Sequence, residues 1–187
     1  EVNSVLDIQK LKNSLTGLKN LLSLEIEEAI TILQEEFSNC GIAFKVIQCF
    51  RGAPVQGFIK VLKNGRVALC LTIRGKRKDT FWFTLFHEIG HILNGDFSNR
   101  LVDFDSSTGA IEDKADSFAR DTLIDPVMYG RFIRSGKYQS TQGIRNFAIE
   151  IKVPPYIVLG RLQKDEYLDW GDFPKLVEYL PDNLVDL

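Results

Sequence analysis

The chain has two histidines in 187 residues, and they stand four apart in His87-Glu88-Ile89-Gly90-His91. Two histidines scattered at random would be so spaced in about one case in a hundred, and the glutamate behind the first lowers that roughly seventeenfold again. On a helix, residues four apart share a face. Both imidazoles can then reach one ion while Glu88 projects beside it, as the HExxH pattern of zinc hydrolases requires. Zinc held this way needs one more protein ligand and keeps a fourth position for water. The chemistry to expect is hydrolysis with Glu88 as the proton-handling base. The plain alternative is a pair of core histidines hydrogen-bonded to neighbours.

The third ligand has to be a carboxylate or a cysteine, since no histidine is left. Phe97 stands six residues past His91, where the longer three-histidine form of the motif would need its last ligand. Asp96, Asp103, Asp105, Glu112, Asp113 and Asp116 are the acids within reach. Only Glu112 and Asp116 combine a helical setting with a spacing of four. One can ligate while the other orients a ligand imidazole through its free N–H. Both could also be plain solvent-facing charges.

The elements that must position these groups follow from periodicity. Residues 81 to 93 are apolar nearly all round and end at Asn94-Gly95, which predicts a buried central helix. Polar groups are not placed in such a helix without partners, which singles out His87, Glu88 and His91. A second helix is expected from Ala110 to Leu123, stopped by Pro126. Before them, residues 42–47, 57–62 and 67–73 read as three strands, the last two flanking Asn64-Gly65, a type I′ hairpin signal. An antiparallel meander is the expectation. At the front, Leu24, Ile26, Ala29, Ile30, Leu33 and Phe37 make a helical stripe over 24–37, with Ser23 as N-cap. A looser leucine-rich segment over 5–19 reads as a helix or as a linker. Short helices are expected at 126–133, 141–151 and 154–163. The class is α+β: a small antiparallel three-stranded sheet packed on a buried zinc-binding helix, with one compact unit divided into N-terminal helices (1–40), a core (41–165) and a C-terminal extension (166–187).

Phe83-Thr84-Leu85-Phe86-His87-Glu88-Ile89-Gly90-His91, then Glu112-Asp113-Lys114-Ala115-Asp116-Ser117-Phe118-Ala119, then Leu123-Ile124-Asp125-Pro126 resemble, in order and spacing, the ImmA/IrrE family of metallopeptidases. The resemblance covers about residues 40–165. It implies a zincin-like fold, Zn2+ on His87, His91 and Glu112, Glu88 as the catalytic residue, and Asp116 in the glutamate-zincin position behind the metal. Two residues depart from the family pattern: Asp116 replaces an asparagine, and Asp125 a small apolar residue. The resemblance further implies a regulatory protease acting on a repressor or antitoxin type of protein, often beside a helix-turn-helix domain.

The remaining composition narrows the alternatives. With 23 basic and 25 acidic residues the net charge is −2, so no global field draws the chain to nucleic acid or to an anionic membrane. Arg74 to Lys78, the densest basic run, reads as a solvated turn. The chain shows neither a membrane-length apolar run nor a secretory leader, so a cytoplasmic protein is expected. Because the sequence opens at Glu1 and its only methionine is Met128, a trimmed or processed start is also expected. Cys40, Cys49 and Cys70 fit free thiols better than a disulfide framework. Two rival functions stand beside the peptidase: a non-catalytic zinc module that binds a partner protein, and a DNA-binding helix-turn-helix over 141–163. The acidic balance disfavours the second. Tyr129 and Arg120 are the positional candidates for stabilising an oxyanion.

Overall fold

A computed structural model describes residues 5–48, 55–62, 66–96, 107–181 and 184. Helix α1 (Ile8–Asn20) is capped by Asp7, whose carboxylate accepts from the Lys10 N–H at 2.9 Å. A 3-10 turn at Leu21–Ser23 leads to α2 (Ile26–Asn39). That turn displaces the expected cap: Glu25, not Ser23, precedes the helix, and Leu24 is turned outward at 37% exposure. Strands β1 (Ile42–Ile47), β2 (Gly57–Val61) and β3 (Val67–Thr72) follow, then α3 (Lys78–Asn94), α4 (Ser107–Leu123), α5 (Pro126–Arg134), α6 (Thr141–Glu150) and α7 (Pro155–Lys164). The class is α+β, as expected.

The sheet corrects the expected antiparallel meander. Its order is β1-β3-β2; β2 pairs antiparallel with β3, but β1 pairs parallel with it, Ile42 opposite Val67 and Val46 opposite Leu71. Burial explains the order. Val67, Leu69 and Leu71 are at most 1% exposed, so β3 takes the centre and β2 is left as an edge. The hairpin between β2 and β3 is present, closed by a bond from the Leu62 N–H to the Arg66 carbonyl. Asn64-Gly65 itself lies outside the described residues.

Side-chain alternation puts Ile42, Phe44 and Val46 on one face with Val67, Leu69, Leu71, Gly57 and Ile59. This face carries the helices: Phe44 meets Phe37 of α2, and Gly57 lies against Thr84 and Glu88 of α3. Helix α3 is the most enclosed element of the site, with Phe81, Trp82, Leu85, Phe86, Ile89 and Ile92 all buried. Its start is pinned by residues expected to be a solvated turn. Arg77 makes a two-bond pair with Asp79 at 2.9 and 3.1 Å and reaches Gln163 of α7 at 2.7 Å. Lys78 pairs with Glu178 at 3.0 Å, and the Leu180 N–H donates to the Lys76 carbonyl at 2.6 Å. The segment around residue 178 therefore straps the head of α3.

The proposed recognition helix of a DNA-binding motif does exist as α7, but Tyr156, Ile157, Val158, Leu159, Gly160, Leu162 and Gln163 are all buried in it. A helix so embedded has no free face to lay in a groove. No described helix is long and apolar enough to cross a membrane. Cys40 and Cys70 are free thiols, each held by burial above its ordinary range, and Cys49 lies outside the described residues.

Candidate metal centre

The spacing of four on α3 brings His87 and His91 together with their rings edge to face, centroids 4.7 Å apart. Helix α4 packs across α3 at Gly90, where an added Cβ would stand 3.2 Å from the Ala115 Cα and 3.1 Å from Phe118. This close approach, allowed by a missing side chain, carries Glu112 and Asp116 over the histidine pair. Glu112 stands 3.2 Å from His87 Nε2 through one oxygen and 3.6 Å from His91 Nε2 through the other. The three groups can each offer a ligand atom within 4.8 Å of the others, so they could hold a metal ion.

The hydrogen bonds behind the rings favour that use. His87 Nδ1 meets Asp116 Oδ1 at 2.7 Å, and His91 Nδ1 meets Asp96 Oδ1 at 2.7 Å. A carboxylate only accepts, so each Nδ1 presents its proton there and directs Nε2 to the opposite side, the atom a neutral ring offers to a metal. Those two Nε2 atoms lie 3.0 Å apart. A cation placed between them and Glu112 would take both Nε2 atoms and the carboxylate as ligands. For bonds of about 2.0–2.1 Å, two ligands of a tetrahedral zinc are roughly 3.3 Å apart, close to the observed 3.0, 3.2 and 3.6 Å. The donor set and its spacing fit zinc.

Asp116 thus meets His87 on the side of the ring away from Glu112. Asp96 was a candidate ligand in the sequence and instead orients His91. Its position depends on Gly95, which ends α3 in the left-handed conformation (φ 73°) and turns the chain so that the Asp96 N–H meets the His91 carbonyl at 3.3 Å. The clue in the sequence was the acid directly after the glycine stop. Phe97, Asp103 and Asp105 lie outside the described residues.

Glu88 is 2% exposed and sits beneath the start of β2: a Cβ on Gly57 would come within 3.0 Å of its Oε1. No bond to the outer edge of β2 occurs among the described residues. One turn along α3 and α4, a cavity of about 320 Å³ opens among Gln56, Phe83, Arg120, Ile157, Lys164 and Trp170. Of the two oxyanion candidates, Arg120 lines this cavity. Tyr129 does not: its ring lies under Arg161 at 4.6 Å, with a buried hydroxyl. Neither a family model nor a curated protein matches this chain.

Proposed function

We propose that this chain is a zinc-dependent peptidase of the ImmA/IrrE kind with a zincin-like core, its metal held by His87, His91 and Glu112. The observation that carries the reading is the convergence of two Nε2 atoms and a carboxylate, each ring hydrogen-bonded from behind, beside the buried acid Glu88. Zinc there would supply Lewis acidity to water and to the scissile carbonyl. Asp116 and Asp96 fix the ring tautomers and aim. Glu88 takes the proton of the attacking water and passes it to the leaving amine nitrogen as the C–N bond breaks and the new C–O bond forms. An extended peptide can add to the outer edge of β2, the strand that lies over Glu88. The target this reading suggests is a regulatory protein of repressor or antitoxin type.

The test is metal content together with hydrolysis. Protein purified without added zinc should carry close to one equivalent, and a blocked peptide mixture should be cut by the wild type, not by Glu88→Gln, and not after chelation. Stoichiometric binding of peptides without any cut, by protein holding its zinc, would replace the peptidase with a binding module.

A further inference from the structure

We infer that the cavity beside the metal triad receives a carboxylate of the substrate, carried by the residue that follows the scissile bond. The inference rests on the peptidase reading and adds a substrate class to it. Location comes first. Phe83, in the wall, has its ring 6.1 Å from that of His87; Arg120, one turn past Asp116, forms another wall; Gln56 adjoins Gly57, which lies over Glu88. The cavity therefore opens beside the centre, at the leading end of β2. A peptide added antiparallel to β2, the more stable pairing sense, runs from Val61 towards Gln56. The residue beyond the bond at Glu88 then enters the cavity.

Charge decides what it takes. Asp79 is the acid in the wall, and both its oxygens are occupied by Arg77. The Arg161 guanidinium is paired with Asp165. Arg120 and Lys164 have no carboxylate partner among the described residues. Arg120 donates to the Ser117 hydroxyl at 2.9 Å, while its buried Nε has no acceptor among the described residues. A buried donor left unmatched is costly, and an apolar occupant would leave it so. A cationic occupant would face two like charges. An anionic one can accept from Nε and offset one of those two charges, with Phe83, Ile124 and Ile157 to cover its methylenes. The carboxylate can belong to an Asp or Glu side chain or to the end of a short peptide.

The experiment uses the full chain loaded with zinc and mixtures of peptides randomised except at one central position fixed as Glu, Asp, Gln, Asn or Leu, with amidated and free C-termini, the cut sites read by mass spectrometry. Cleavage before Glu or Asp should exceed that before Gln or Asn about tenfold, the weight of one charged hydrogen bond. That ratio should fall towards one in Arg120→Gln and be partly restored in Arg120→Lys. A preference that follows the free C-terminus instead assigns the carboxylate to the chain end. Cleavage by the wild type with no acid preference overturns the inference and leaves the peptidase intact. If nothing is cut, the peptidase reading fails, and the cavity is judged by binding. Glu and Gln peptides are titrated into zinc-loaded Glu88→Gln, following Trp170 emission against Trp170→Phe. Tenfold tighter binding of the Glu peptide supports the assignment, and equal affinity overturns it.

Discussion

Glu88 and the two acids behind the imidazoles are separable by what their loss removes. Glu88→Gln should keep the metal and the fold while lowering peptide turnover by about 10²–10⁴-fold, the range for loss of a positioned base. Asp116→Ala and Asp96→Ala should instead weaken zinc by about 10–100-fold each, measured by competition with a chromophoric chelator, with Glu112→Ala weaker than either. If Asp116→Ala proves the more damaging, ligand and orienting acid exchange roles. His87, Glu88 and His91 were legible in the sequence because helical spacing alone aligns them, and Asp116 because it lies one turn from Glu112. Asp96 was not singled out: it reaches His91 through a left-handed residue past the helix end, where periodicity says nothing.

At the scale of elements, two glycines that look alike in the sequence should behave oppositely. Gly90 is wedged against Phe118 and Ala115, so Gly90→Val should cost about 1–3 kcal/mol by overpacking and loosen zinc as α4 is pushed away. Gly109, exposed in α4 with open space around it, should gain roughly 0.5–1 kcal/mol as Ala. Denaturant titration of both, with and without zinc, checks the pair. Most helices were readable from apolar spacing and proline stops, to within a few residues. The partner of β1 was not. A short gap announces a hairpin, so β2 and β3 found each other on paper; the parallel pairing of β1 follows from which strand is greasiest, a property of the packed whole. Arg77 and Lys78 escaped for the same reason, since their partners lie 86 and 100 residues away.

For the molecule as a whole, two buried phenols set an alkaline limit. Tyr156, which donates to the Leu22 carbonyl at 3.1 Å, is raised above its ordinary pKa by burial and then by Glu178; Tyr129 is raised by burial and then by Asp165. Both favour the folded state fully below the unfolded value near pH 10 and lose that contribution as pH climbs beyond it, each by up to about 1.4 kcal/mol per pH unit. Thermal melts from pH 8 to 11 should show the fall, and Tyr156→Phe should make it shallower while costing about 1 kcal/mol at pH 8. The strap at the head of α3 has a kinetic corollary. Its closures join residues 86 and 100 positions apart, and such non-local contacts form slowly. On the proposed function, zinc capture then belongs to the late side of the folding barrier. Stopped-flow refolding with and without zinc should give the same folding rate, whereas the bound ion should slow unfolding, making the loaded protein long-lived rather than quick to form.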